Sequence, residues 1–550
     1  MLSWRANIFL IFFAAVLVTT PIIMFGVPKG NDLPQHFQFA LVFRDSLAHG
    51  VLYPSWAPNV NSGFGDVGVR FYPPLAYFLL VLFYAVFSNW VYATAATICL
   101  MFFVGGTGVY FWCREWFRPR ASLIGGMMYV LVPYHVNEVY NAFTFAELAA
   151  ACFLPFCFLY VIRVIKRGKI VDIIGLAVSF AALILTHLPM AVLGSISLAL
   201  FALALLWRNA RIGNIARLLA AFGLGLVLSA FYWVRMVSEL PFVNHTGKSF
   251  ISGDYDFRNN FVWSFFYTSA DQYSERSLGF LDLMLLVTLA MAIAAIVVFY
   301  LRAKRSKRGP INALLTVLAA SLFFATPLSS PIWDRIGLLQ RTQFPWRWMA
   351  IISLVCCVAV AAGVDQLRDL RNPKIQRLAL VLGGLAAATI TFSVAQVIRP
   401  AIFLEPTSFD KTVAALSTAD SCDCWWPIWA KKEALADPAK VTSGARSITI
   451  ETWQPTYRVF QVSADNEEPA RVATFYYPNW HGRVNGQEAQ IGHDDNGAIL
   501  IQLPMEDSHV ELYFVEPRLI WMATFISIAA WVCLVAFGVY RVIKTKRSGL

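Results

Sequence analysis

Apolar runs of roughly 16 to 24 residues recur along most of this chain, close to the length of helix that crosses a bilayer core of about 30 Å. They fall at about 6–27, 91–113, 121–136, 145–162, 172–186, 190–207, 214–233, 281–301, 311–327, 346–364, 378–397 and 519–541. This predicts about twelve transmembrane helices. The first run reads as a retained anchor rather than a cleaved signal, because its apolar stretch is long and no small-x-small site follows it. Between the runs lie four sizeable polar stretches, 28–90, 234–280, 328–345 and 401–518. The last alternates polar with apolar or β-branched residues at Ser447–Glu451 and Tyr457–Val462, which predicts strands. Asn485-Gly486 and Asn496-Gly497 add hairpin signals. The expected fold is a polytopic α-helical membrane protein with a C-terminal β-sandwich. Residues 1–400 form the membrane domain with outward loops 28–90 and 234–280, 401–518 the sandwich, and 519–550 a final helix with a basic tail.

Composition agrees with this pattern. Hydrophobic residues make up 58% of the 550 and charged residues only 14%, with mean hydropathy +0.59, against about 25% charged in soluble chains. The net charge of +11 is topological in origin. Basic clusters follow the ends of the runs: Arg114, Arg118 and Arg120; Arg163, Lys166, Arg167 and Lys169; Arg208, Arg211 and Arg217; Arg302 to Arg308; Arg368, Arg371, Lys374 and Arg377; and Arg541 to Arg547. The positive-inside rule puts them, and both termini, on the cytoplasmic side. That parity requires the apolar stretch Pro73–Phe87 to be a re-entrant or interfacial hairpin rather than a crossing. Residues 401–518 carry 9 Lys and Arg against 17 Asp and Glu, whereas the rest of the chain carries 35 against 16. The sandwich therefore faces outward, and the asymmetry argues against a nucleic-acid partner.

Several features resemble known chemistry without its context. Gly63-Phe64-Gly65-Asp66-Val67-Gly68 spells a dinucleotide fingerprint but follows no strand, and Gly247-Lys248-Ser249 lacks the leading glycine of a phosphate loop. Cys422 and Cys424 are the two cysteines outside the apolar runs, able to pair in an oxidising compartment across a one-residue spacer. Trp453, Tyr476, Tyr477 and Trp480 read first as sandwich core and second as a sugar-stacking platform.

Ionisable residues at the outward ends of the apolar runs are costly to place there, and so mark a site or a compensated pair. Asp32 and His36 follow the first run, four residues apart, so that a helical turn would put both on one face. His135, Glu138 and Glu147 flank the third and fourth runs, and His187 follows the fifth. Arg235 and Glu239 end the seventh, and Arg341 and Arg347 precede the tenth. Glu239 also reads as an ion-pair partner of Arg235. Carboxylates together with cations suit group transfer from a lipid-phosphate donor: the acid takes the acceptor hydroxyl's proton and the cations hold the departing phosphate. On this reading Asp32 is the base, His36, Glu147 or Glu239 positions the acceptor, and His187, Arg235, Arg341 or Arg347 binds the lipid phosphate.

The chain resembles the GT-C superfamily of polyprenyl-phosphate-sugar-dependent glycosyltransferases, and within it the YfhO-like bacterial membrane proteins, often labelled 6-pyruvoyl-tetrahydropterin synthase-related. The likeness rests on Asp32-Leu33-Pro34-Gln35-His36, Phe71-Tyr72-Pro73-Pro74-Leu75, Phe145-Ala146-Glu147-Leu148, Thr186-His187-Leu188-Pro189, Gln343-Phe344-Pro345-Trp346-Arg347-Trp348 and Phe475-Tyr476-Tyr477-Pro478-Asn479-Trp480. Nothing in the residues points to pterin chemistry. The resemblance implies an inverting transferase in a bacterial inner membrane with its site on the exoplasmic face. It implies a polyprenyl-phosphate-linked sugar as donor, and a lipid, glycan or protein as acceptor. In the superfamily the first outward loop supplies an acidic base or metal ligand, which maps onto Asp32. Asn31 precedes it where a second acid is common, which leaves a divalent cation an open question and no cofactor certain. The rival readings are a non-catalytic accessory on the same scaffold and a lipid or glycan transporter.

Overall fold

The computed structural model describes residues 3–207, 211–246, 252–263, 272–305, 308–367, 373–444, 447–464 and 468–547. Arg208, Lys307, Arg368 and Arg371 of the basic clusters, and Gly247-Lys248-Ser249, lie outside them. Each of the twelve predicted runs is helical. Among the described residues eight helices are long and apolar enough to cross a membrane: Trp4–Phe25, Trp90–Cys113, Phe145–Arg167, Leu188–Leu206, Gly279–Arg302, Arg308–Ala325, Pro345–Leu367 and Arg518–Lys544. Ile212–Leu228 and Ala230–Phe242, bent by 73°, are a broken span or a re-entrant loop and add a ninth if the pair is one span. The remaining three runs correspond to the shorter helices Pro119–Leu131, Ile170–Ile184 and, within Pro373–Ile398, the apolar stretch Gly383–Ile398. Pro73–Phe87 yields the helix Leu75–Phe87, whose 13 residues rise only about 20 Å. The protein is an integral membrane protein.

Helix ends follow from local chemistry. Ser3 caps Trp4–Phe25 by accepting from Ala6 N at 3.2 Å, and Asn89 caps Trp90–Cys113 by accepting from Tyr92 N at 3.0 Å. The bend at Ser229 departs from the single straight run expected at 214–233. A broken helix exposes backbone groups that lipid cannot satisfy. Here the final helix satisfies them: the Ser527 hydroxyl donates to Val227 O at 2.8 Å and accepts from Phe231 N at 3.0 Å, and Trp531 Nε1 donates to Leu228 O at 3.0 Å.

The chain divides into two compact units, each interleaved in sequence. The first holds residues 1–33, 82–226 and 251–410. It is helical apart from a two-residue antiparallel ladder, β1 (Val27–Pro28) on β2 (Phe403–Leu404). Its most buried element is Trp348–Leu367, which packs against Gln272–Arg302, Pro119–Leu131 and Arg308–Ala325.

The second unit holds residues 34–81, 227–250 and 411–550. Its strands are β3 (Val441–Thr442), β4 (Ile448–Gln454), β5 (Tyr457–Val462), β6 (Ala470–Phe475), β7 (Trp480–Val484), β8 (Gln487–Ala489), β9 (Ile491–His493), β10 (Ala498–Ile501) and β11 (Ser508–Phe514). They form two antiparallel sheets, ordered β3-β6-β10-β9 and β4-β5-β11-β7-β8. Asn485 and Gly486 both take positive φ, 52° and 80°, as a two-residue turn between β7 and β8 demands. Tyr477 and Trp480 are buried core residues, and Trp453 is half-buried.

Between Trp453 and Trp480 lies Arg458, fully buried, its guanidinium 4.4 Å and 5.1 Å from the two rings. Nη1 donates to Ala473 O at 3.3 Å, and no carboxylate pairs with it among the described residues. Burial pulls its pKa down to about 9. A buried charge without a counter-ion costs more than its packing returns, so Arg458→Met, which keeps the length and drops the charge, is expected to leave the melting temperature unchanged or raise it. Arg458→Ala, which removes the packing as well, is expected to lower it.

Candidate functional site

In the first unit Arg347 bonds Glu147, and its charge acts on Asp32 and Glu138. The Asp32 turn lies against the segment Glu138–Ala142, a wide π-turn that ends on Phe143 in the left-handed region at φ 54°. Such turns recur at functional sites. Gly30 permits the approach, since a Cβ there would sit 2.4 Å from Phe143 Cβ and 2.6 Å from Ala142 O. Asp32 N donates to Ala142 O at 3.5 Å. Asp32 stands in the turn directly before the helix Leu33–Ala48, which carries His36.

Glu147 sits in the first turn of Phe145–Arg167. Its Oε1 accepts from Tyr134 OH at 2.7 Å and its Oε2 from Arg347 Nε at 3.1 Å. Arg347 closes the short 3₁₀ turn Pro345–Arg347 and donates through Nη1 to Thr342 O at 2.5 Å. Its guanidinium lies 4.7 Å from the Phe344 ring and 5.7 Å from Trp346. Its charge acts on three carboxylates, Asp32, Glu138 and Glu147. His135 Nδ1 meets Glu138 Oε2 at 2.5 Å. Burial pushes the half-buried Asp32 carboxyl up to about 6, against the opposing pull of Arg347. A carboxyl in that range is ionised at neutral pH yet basic enough to accept a proton.

His187 is buried immediately before Leu188–Leu206 and makes no capping hydrogen bond to that helix. Arg341 is exposed at the end of Gly337–Gln340, in contrast to the buried Arg347.

The other three predicted residues belong to the second unit. His36 Nδ1 bonds Tyr77 OH at 2.7 Å, and burial holds its imidazole down at about 3, so it is neutral. Glu239 does not pair with Arg235. Its partner is the fully buried Arg70, which donates to it from Nε at 2.7 Å and from Nη2 at 2.6 Å. Tyr477 OH and Asn479 Nδ2, each at 3.1 Å, complete the carboxylate. Four donors are thus directed at the Glu239 carboxyl group. Arg70 also reaches Glu516 through Nη1 at 2.6 Å and Nη2 at 2.9 Å. Glu516 further accepts from the Ser55 hydroxyl and lies 3.4 Å from Arg235, whose guanidinium stacks 4.4 Å over Tyr53. Burial alone would raise the Glu516 carboxyl, but Arg70 and Arg235 hold it down at about 2.

Sequence reasoning missed Arg70 and Glu516. The available signal was a lone Arg between Val69 and Phe71 in an aromatic outward loop. Among the described residues no group of three or more His, Cys, Asp or Glu side chains is arranged to hold a metal ion, so no step is assigned to a divalent cation.

A family model described as the 6-pyruvoyl-tetrahydropterin synthase related domain, a membrane protein, matches residues 69–398. The chain belongs to this family. A relative from Lactococcus lactis subsp. cremoris, described only as an uncharacterized protein, is 23% identical over 270 residues, which are 46% of this chain and 42% of the relative. The match thus spans less than half of that relative's length. Among solved structures, ArnT from Cupriavidus metallidurans bound to undecaprenyl phosphate is 15% identical over 76% of this family member and 72% of ArnT, with a TM-score of 0.46. The oligosaccharyltransferase AglB from Archaeoglobus fulgidus, in complex with an inhibitory peptide and a dolichol-phosphate, is 14% identical over 76% of this chain and 57% of AglB, with a TM-score of 0.41.

Proposed function

We propose that the protein is a GT-C-type membrane glycosyltransferase that moves a sugar from a polyprenyl-phosphate donor to an acceptor on the exoplasmic face. The observation that supports this reading best is that a carboxylate poised near neutrality, Asp32, lies within the field of a buried guanidinium, Arg347, at the outward end of the first membrane helix. In the proposed step, an acceptor hydroxyl attacks the anomeric carbon from the face opposite the phosphate and the C–O bond to the phosphate breaks. Asp32 takes the hydroxyl proton, and the electron pair leaves on the phosphate oxygen. Arg347 is already fixed through Nε to Glu147 and Nη1 to Thr342 O, and Nη2 has no hydrogen-bond partner among the described residues. A guanidinium held on two edges stabilises leaving-group charge without reorganising. Glu147, with Tyr134, positions Arg347 in this scheme.

The test supplies membranes containing the protein with a polyprenyl-phosphate donor labelled in the sugar. Label is expected to enter an envelope lipid, glycan or protein fraction only when this chain is present. A donor that remains intact, with folded protein in the membrane and envelope acceptors supplied, would overturn the transferase reading and leave the accessory scaffold.

A further inference from the structure

The second unit carries a polar groove of about 310 Å³ lined by Asn244, Asp423, Trp426, Lys431, Lys432 and Glu433. Its walls are built in advance. Segments 242–244 and 426–428 zip together, with Asn244 N donating to Trp426 O at 3.0 Å and Ile428 N to Phe242 O at 3.1 Å. The Asn244 amide is tied through Nδ2 to Asp423 O at 3.2 Å. Next to the groove in the chain stands Trp429, partly exposed, its ring edge-on to Tyr476 at 5.0 Å, stacked on Phe242 at 6.3 Å and 6.0 Å from the His493 ring. Gly497, at φ +86°, lets the β9–β10 turn meet this segment. A Cβ at Gly497 would lie 2.4 Å from Trp429 O, and Lys431 N donates to Asn496 O at 3.0 Å. A rigid, partly exposed indole beside a polar groove is thus fixed by backbone contacts on both sides.

We propose that this groove and the Trp429 ledge bind a neutral oligosaccharide. The composition of the lining supports this class of ligand. Lys431 and Lys432 are balanced by Asp423 and Glu433, so the lining has no net formal charge and favours neither an anionic nor a cationic partner. The lining holds both donors and acceptors, which suits hydroxyls that both give and take hydrogen bonds, and the exposed part of the Trp429 indole suits the C–H face of a sugar ring. Of the four aromatic residues that sequence suggested as a platform, Tyr477 and Trp480 are core, Trp453 is covered by Arg458, and Tyr476 serves here as the wall that holds Trp429. The proposal rests on the transferase reading only in making this ligand the acceptor or its extension, since binding itself needs no catalysis.

The experiment uses full-length protein in nanodiscs, wild type and Asp32→Asn, titrated with a chitotetraose, a maltohexaose and a galactan oligosaccharide, binding being read by calorimetry. Saturable binding of at least one of these is expected in both proteins. It is expected to weaken about tenfold or more in Trp429→Leu and in Asp423→Asn, and to be indifferent to competition by heparin or anionic lipid vesicles. Melting curves establish that each variant is folded, and Asp423→Asn, at an exposed position, serves should Trp429→Leu fail to fold. Absence of saturable binding by all three sugars, unaltered affinity in the folded variants, or displacement by heparin or vesicles would each overturn the proposal. Binding retained by a wild-type protein that shows no transfer would sink the transferase reading alone.

Discussion

Asp32→Asn is expected to cut sugar transfer by about 10²- to 10⁴-fold while leaving the protein folded and at normal abundance, because it removes a general base without changing shape. The pH dependence separates this role from a structural one. Asp32 is held at about 6 by burial, with Arg347 opposing the shift, so wild-type turnover should rise as pH passes from 5 to 7 and the base loses its proton. The stability effect has the opposite sign. A carboxyl whose folded pKa lies above its unfolded value of 3.8 binds more protons when folded between about pH 4 and 6, so its contribution falls as pH rises through that window. Asp32→Asn escapes that loss, and its melting temperature at pH 7 should equal or exceed that of the wild type. Initial rates and melting curves in the same proteoliposome preparation decide the matter. Undiminished turnover, or an activity loss that tracks a lower melting temperature, would reject Asp32 as the base.

Arg70→Met is expected to destabilise the second unit by about 3–5 kcal/mol, the cost of stripping the counter-ion from the buried Glu239 and the half-buried Glu516. Glu239 and Glu516 both depend on that guanidinium, the first through a two-pronged contact and the second through Nη1 and Nη2. Arg70→Lys should not restore stability, because a single ammonium cannot reproduce the planar fork. The double change Arg70→Met with Glu239→Gln should recover part of the loss by removing one of the stranded charges. Acid sensitivity follows the same pairing. Glu516 is held at about 2 when folded, below its ordinary 4.5, so its contribution is complete above about pH 4.5 and disappears as pH falls toward 2. The wild type should therefore lose melting temperature progressively below pH 4.5, and Arg70→Met should lose less over the same range. A melting temperature in Arg70→Met equal to that of the wild type would show that the network is not a stability element.

Much of the architecture was legible in the chain itself because its causes are local. A segment in lipid must satisfy every backbone N–H and C=O within itself, so each of the twelve apolar runs identified a helix without reference to any other. The Asn485-Gly486 turn was equally local, since the left-handed conformations it needs favour those residues. At the candidate site, residue types and position at helix ends were enough to single out Asp32, Glu147 and Arg347.

Their arrangement, and the identity of the residues that hold them, required the tertiary structure. Glu239 is four residues from Arg235, yet its partner is Arg70, 169 residues away, because a carboxylate pairs with whichever guanidinium reaches it in the correct plane. The bend at Ser229 is stabilised by Ser527 and Trp531 from the far end of the chain, a contact that no local window contains. Trp429, unremarked beside its neighbours in sequence, packs among Phe242, Tyr476 and His493, rings that come from distant parts of the chain. The sequence by itself determined which segments become helix and which residue types stand at their ends, since backbone satisfaction and hydrophobic period act over a few residues. Charge pairing, the bend and the packing of Trp429 were decided by tertiary structure alone, since each depends on which distant side chains come within reach.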